Sequence, residues 1–146
     1  MQKEDTSIDI GEYLKELGEN LKNTFPSDGV VPTIHLQTDK IKLDGESAVR
    51  IGLIINELVT NSFKYAFAEQ PNPRIDILLK RTDEDYQLTY QDNGKGLPME
   101  IEIFQLKSLG LKLIHTLTKQ LKGTMHTEKR DGAFFQFNFK DQKIAV

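Results

Sequence analysis

Three short runs in this sequence carry side chains able to do chemistry together. The first is Asn56-Glu57-Leu58-Val59-Thr60-Asn61-Ser62-Phe63-Lys64-Tyr65. On a helix, Glu57 and Asn61 are four residues apart and share a face. A carboxylate beside an amide oxygen suits a hard cation such as Mg²⁺, which keeps most of its waters. Lys64, one turn on, can meet a phosphate as a point charge. The same triplet also occurs on ordinary solvated helix faces, so it decides nothing alone.

The second run, Asp92-Asn93-Gly94-Lys95-Gly96-Leu97-Pro98, directly follows a strand pattern. Alternation puts Asp92 on the face of Leu88 and Tyr90, toward the core. A buried carboxylate needs a partner, and a ligand's exocyclic amine is one candidate. Gly94 and Gly96 permit positive φ and close backbone approach to a flat ring; an Asn-Gly turn between strands would read the same. The third run, Ser108-Leu109-Gly110-Leu111, opens a helix. Its free N–H groups favour anions, with Gly110 keeping the approach open; plain capping by Ser108 is the alternative. In chain order the three runs suit the divalent cation, amino-purine and phosphate of one ligand.

The elements that must position them follow from periodicity. Ile10, Tyr13, Leu14, Leu17 and Leu21 form a helical stripe with Asp9 as N-cap, ended by a turn at residues 25–29. A short strand covers 33–37. A long helix over 46–66 buries Ala48, Ile51, Ile55, Val59 and Ala66 and turns Arg50, Glu57, Asn61 and Lys64 the other way. Strands follow at 74–81 and 86–91. A loop from 93 to about 107 has room for a helical turn at 99–104. Helix 109–121 stops at Gly123, and a hairpin of 124–129 and 133–139 turns at Arg130-Asp131-Gly132. This mixture predicts a two-layer α/β sandwich, helices on one face of a mixed, mostly antiparallel sheet.

Composition narrows the function classes. The 146 residues are 38% hydrophobic and 28% charged, enough for one domain with its own core. Lys+Arg number 19 against 22 Asp+Glu, a formal charge of −3, which gives no basic footprint for nucleic acid. Zero Cys removes disulfides, thiolate zinc and Cys nucleophiles. The start is polar and acidic, unlike a secretory signal, and no apolar run approaches the ~20 residues of a membrane span. A cytoplasmic, membrane-free domain is the expectation.

At these residues the chain resembles the ATP-binding catalytic domain of sensor histidine kinases, of the superfamily shared with DNA gyrase B, Hsp90 and MutL. The N box (Gly52 to Phe67), the glycine box at Ser108-Leu109-Gly110-Leu111-Lys112-Leu113-Ile114, the run Gln120-Leu121-Lys122-Gly123 and the opening Tyr13-Leu14-Lys15-Glu16-Leu17 look most like the subgroup with the second type of histidine-kinase acceptor domain. The resemblance spans about residues 8–140. It implies a Bergerat-type sandwich holding Mg-ATP. Asn61 would coordinate Mg²⁺, and Glu57 would act near the γ-phosphate as the catalytic residue. Lys64 and Tyr65 would line the phosphates and ribose. Asp92 would accept from the adenine amine, with Gly94, Gly96 and Leu97 shaping the pocket. Ser108, Leu109, Gly110 and Leu111 would meet phosphate. The short lid has Ser108 in place of the first glycine of the usual Gly-x-Gly pair, and Ala133 stands where many relatives carry Thr.

The resemblance also implies partners. The γ-phosphoryl would go to a histidine on a separate dimerisation domain and then to a response-regulator aspartate. No acceptor pattern precedes Ile8, and His35, His115 and His126 read as strand and helix residues in structural or surface roles. The expectation is therefore a single catalytic domain over 1–146, monomeric, lacking the acceptor domain and unable to autophosphorylate alone. Two other readings stay open: a protein serine kinase of the anti-sigma-factor type, and a nucleotide-dependent interaction module without catalysis.

Overall fold

The computed structural model describes residues 6–24, 31–67, 71–94 and 109–140, with the side chains of residues 65, 66 and 129 excepted. Helix α1 (Ile10–Lys22) starts where expected. Asp9 has extended backbone angles, and its carboxylate accepts from the Glu12 N–H at 3.2 Å. Just before it, β1 (Ile8–Asp9) pairs antiparallel with β3 (Lys42–Leu43). Two-residue strands have no detectable alternation, so this ribbon was not anticipated.

Helix α2 (Gly45–Asn61) is capped by Asp44, whose side chain accepts from the Ser47 N–H at 3.2 Å. The expected stripe of Ala48, Ile51, Ile55 and Val59 is buried, joined by Ile54 and Leu58. The expected single helix to residue 66 needs correction. Past Asn61 the backbone widens into a π-helical turn, Ser62–Ala66, closed by the Phe67 N–H on the Ser62 carbonyl at 3.1 Å. The wider turn breaks the 100° step. Helical spacing therefore no longer holds Lys64 and Tyr65 in register with Glu57 and Asn61.

Five strands form the main sheet: β2 (Thr33–Thr38), β4 (Arg74–Arg81), β5 (Asp85–Asp92), β6 (Thr124–Arg130) and β7 (Gly132–Lys140). Their order is β2-β4-β5-β7-β6. Only β2 and β4 run parallel, and α2 lies in the crossover between them. Alternation separates two faces. Ile75, Ile77, Leu79, Tyr86, Leu88, Tyr90, Phe135, Phe137 and Phe139 pack into one core with the apolar stripes of the helices. Gln87 and Asn138 lie on the other face, hydrogen-bonded at 2.9 Å. On the core face Tyr86 meets Phe139 at 5.3 Å between ring centroids, and Tyr90 meets Phe135 at 6.3 Å. Such cross-strand aromatic pairs fix the β5–β7 register, and with it the end of β5.

Helix α3 (Leu109–Gln120) ends close to the expected stop, for a different reason. Lys122 takes the left-handed φ of 53°, with its N–H on the Lys119 carbonyl and the Gly123 N–H on the Thr118 carbonyl, a Schellman ending. Gly123 is needed for room: a Cβ there would lie 2.6 Å from both the Asn138 carbonyl oxygen and the Phe139 ring. The turn expected at 25–29, the loop from 95 to 107 with its possible helical turn, and Ser108 lie outside the described residues.

The cap of α2 is testable. The Ser47 hydrogen bonds hold the Asp44 carboxyl below the usual carboxylate range. Its folded pKa is depressed, so its contribution is present above the unfolded value and lost as pH falls below about 4. Asp44→Ala is expected to lower unfolding free energy by ~1 kcal/mol at pH 7. In denaturant titrations the difference from the parent should shrink at pH 3.

Candidate functional site

The site is built around Asp92, the last residue of β5. It is 2% exposed, as the shared face with Leu88 and Tyr90 predicts. Its partners come from three places. Oδ1 accepts from the Gly94 N–H at 3.0 Å and from the Ala133 N–H at 2.9 Å. Oδ2 accepts from the Ser62 hydroxyl at 2.7 Å. The Ser62 oxygen lies 2.7 Å from the Tyr90 hydroxyl. An ionised carboxylate only accepts, and Ser62 has one proton, so the Tyr90 O–H donates to Ser62. Burial above all, with the nearby Asp92 carboxylate adding to it, pushes the Tyr90 phenol well above its usual range, which keeps it a donor.

Two neighbours hold this end of β5. Asn93 clamps the start of β4: its side-chain oxygen accepts from the Arg74 N–H at 2.7 Å, its N–H donates to the Arg74 carbonyl at 3.1 Å, and its amide reaches the Asn72 carbonyl at 2.8 Å. Gly132 opens β7 at φ +133°, and a Cβ there would lie 1.9 Å from the Asp92 carbonyl oxygen. Only glycine lets β7 begin against Asp92.

A second cluster lies where α2 meets the start of α3. A Cβ on Gly110 would stand 2.8 Å from Glu57 Oε2 and 3.9 Å from Asn61 Nδ2. Glu57, Asn61 and the first turn of α3 therefore converge, and the missing side chain at Gly110 permits it. The helix pair is held farther along by the Arg50 Nε–H on Gln120 Oε1 at 3.1 Å. Leu109 is exposed and Leu111 buried. Among the described residues no group of three or more His, Asp or Glu is placed to hold a metal. A divalent cation that arrives on phosphates and keeps its waters needs only one or two protein oxygens, and this donor set fits that case.

The structure thus brings together Glu57, Asn61 and Gly110, and separately Asp92 and Gly94, with the consecutive residues Asn61 and Ser62 joining the two groups. Lys64 is exposed on the π-turn. The Tyr65 side chain, Gly96, Leu97 and Ser108 fall outside the described residues. Sequence reasoning missed Ser62, Tyr90, Asn93 and Gly132 as parts of the site, and singled out Ala133 by its side chain where the structure uses its backbone N–H. For Tyr90 the signal was present, since it shares the face of Asp92.

A cavity of about 500 Å³ lies elsewhere, between α1, β2 and the far side of α2, lined by Leu14, Leu36, Ile55 and Val59 among others. Ile55 and Val59 are each two positions from Glu57 or Asn61, so they face away from the site. His35 and His126 are exposed, the latter 2.9 Å from Glu128. His115 lies within α3. No described helix is long and apolar enough to cross a membrane.

Comparison with known proteins identifies the family and the fold. Residues 46–143 match the family of histidine kinase-, DNA gyrase B-, and HSP90-like ATPases. The chain is 24% identical over 126 residues to Blue-light-activated histidine kinase 2 of Erythrobacter litoralis, covering 86% of this chain and 36% of that protein. It is 31% identical over 85 residues to Sensor histidine kinase PdtaS of Mycolicibacterium smegmatis, covering 57% of this chain and 17% of that one. The chain thus spans about a third or less of these relatives' lengths. Among solved structures, the histidine kinase domain of the Erythrobacter litoralis EL346 blue-light activated histidine kinase superposes with a TM-score of 0.82 at 19% identity, over 95% of this chain and 65% of that chain. Mycobacterial sensor histidine kinase MprB gives 0.73 at 15% identity, over 94% and 98%. The chain belongs to the histidine kinase-, DNA gyrase B-, and HSP90-like ATPase family, and has the fold of the catalytic domains of sensor histidine kinases.

Proposed function

We propose that this chain is a single catalytic domain that binds Mg-ATP and transfers the γ-phosphoryl group to a histidine on a separate dimerisation domain, of the second acceptor type. A response-regulator aspartate then receives the group. The observation that carries this reading is the buried Asp92 carboxylate. Among the described residues its Oδ1 is filled by two N–H groups and its Oδ2 by one hydroxyl, which leaves an acceptor position for the adenine amine. Gly94, Gly96 and Leu97 shape the pocket around the ring.

At the other end, Glu57 and Asn61 face the glycine-bearing start of α3. Asn61 supplies an oxygen ligand to Mg²⁺, which when bound neutralises phosphate charge. Backbone N–H groups from Ser108 to Leu111 receive the phosphates, as helix starts do. Lys64 and Tyr65 line the phosphate and ribose side. In the transfer, an imidazole nitrogen bonds to the γ-phosphorus while the bond to the bridging oxygen of ADP breaks. Glu57 orients the ring or takes the proton it gives up. Catalysis of this type is mostly positioning and charge neutralisation. The isolated chain is then a cytoplasmic monomer that binds nucleotide and hydrolyses it slowly at most, with neither nucleic acid nor membrane as a partner.

Two measurements test this. In titration calorimetry the chain is expected to bind Mg-ATP, and nucleotide at 100 times Kd to add ~2.7 kcal/mol to unfolding free energy. Asp92→Ala should weaken binding at least about tenfold, since it removes a buried charged acceptor; unchanged affinity would move the adenine site elsewhere. With an acceptor domain supplied in trans, Glu57→Gln should keep Mg-ATP affinity and slow transfer by ~10²–10⁴-fold. Transfer at the parent rate would remove Glu57 from the chemistry. An output that persists without transfer would favour the interaction-module reading.

A further inference from the structure

We propose that Tyr90, acting through Ser62, is a positioning residue that fixes which hydrogen-bonding pattern Asp92 presents to the purine ring, and so sets the preference for a 6-amino over a 6-keto purine. The proposal rests on the reading of Asp92 as the adenine acceptor.

The hydrogen-bond inventory is tight. Oδ1 is satisfied by the Gly94 and Ala133 N–H groups, both backbone donors that cannot reverse. Oδ2 takes the Ser62 hydroxyl and, among the described residues, nothing more. A serine hydroxyl alone could turn and offer its lone pairs instead. The Tyr90 O–H, 2.7 Å away, occupies the acceptor side of Ser62 and leaves the single Ser62 proton for Asp92. Tyr90 is itself held with its ring in the core, 1% or less exposed, edge-on to Phe135. The direction Tyr90 to Ser62 to Asp92 is thus imposed from the core outward. Asp92 then meets the ligand as an acceptor with one free position on Oδ2, which matches an amine and repels a keto oxygen. Without the Ser62 donor, Oδ2 loses the one contact that fixes it, and the carboxyl no longer holds its free acceptor position toward the amine. The buried stripe of α2 provides the reach: Ser62 follows Asn61 directly, yet it stands one turn past Leu58 and Val59, and its hydroxyl is buried against β5.

The test compares Mg-ATP with Mg-inosine triphosphate, which differs at the 6-position in having a keto oxygen. Calorimetric affinities are measured for the parent chain, Ser62→Ala, Tyr90→Phe and the double variant, with folding checked by thermal melting. Tyr90→Phe keeps the ring in the core, and the double variant leaves neither hydroxyl buried without its partner, so a folded form is available even if Ser62→Ala alone melts early. The ratio of ATP to inosine triphosphate affinity should fall about tenfold in Ser62→Ala and about threefold in Tyr90→Phe, the size of one hydrogen bond and a fraction of one. In the double variant the ratio should fall no further than in Ser62→Ala, because Tyr90 acts only through Ser62. If both affinities drop in parallel, or the ratio holds in every variant while Asp92→Ala still loses ATP, the positioning role is overturned and the ATP reading stands. If the folded parent binds neither nucleotide, both are overturned.

Discussion

One buried carboxylate sets the terms for this domain. Asp92 sits at 2% exposure, where an unpaired charge would be costly. It is tolerated because donors from three separate segments converge on it: the π-turn after α2, the residue two beyond β5, and the start of β7. Each donor requires something of its own segment. The buried stripe of α2 must run on to Ser62, β7 must begin with glycine to approach closely, and Asn93 must tie β5 to β4. These features make sense as support for one charge.

The second constraint is close approach of two helices. α3 begins where α2 carries Glu57 and Asn61, and the contact leaves no room for a side chain at Gly110. The start of α3 brings free N–H groups and a partial positive charge. Opposite it stands a carboxylate, and the anion that would bind between them must be compatible with both. A phosphate group accompanied by a divalent cation meets that condition, whereas a bare anion would be repelled by Glu57. On the proposed reading, electrostatics would thus favour a metal-bound polyphosphate over free phosphate.

Much of this was legible in the sequence, and the gaps have physical causes. Period-two alternation through Leu88, Tyr90 and Asp92 put the carboxylate inside, and 3.6-residue periodicity put Glu57 and Asn61 on one face. The two-residue β1–β3 ribbon was invisible because a pattern needs more residues than it has. The π-turn was invisible because Ser62-Phe63-Lys64-Tyr65 continues the composition of a helix. Gly123 was read as a helix stop from its type alone. Lys122 carries the left-handed angle, and the glycine answers to Phe139 across the interface. Local signals gave the elements; contacts distant in sequence decided their exceptions.

The two ends of the site differ in kind. At the end proposed for the base, the Asp92 carboxylate is oriented by backbone donors and a hydroxyl pair rooted in the aromatic core. The phosphate end has one carboxylate, one amide and a helix start, with no cluster of acidic ligands among the described residues. On the proposed reading, a carboxylate already oriented before the ligand arrives lowers the entropic cost of binding the base. That difference suits the proposed function, in which the domain would hold a nucleotide by its base and offer its terminal phosphate to a nucleophile from another domain.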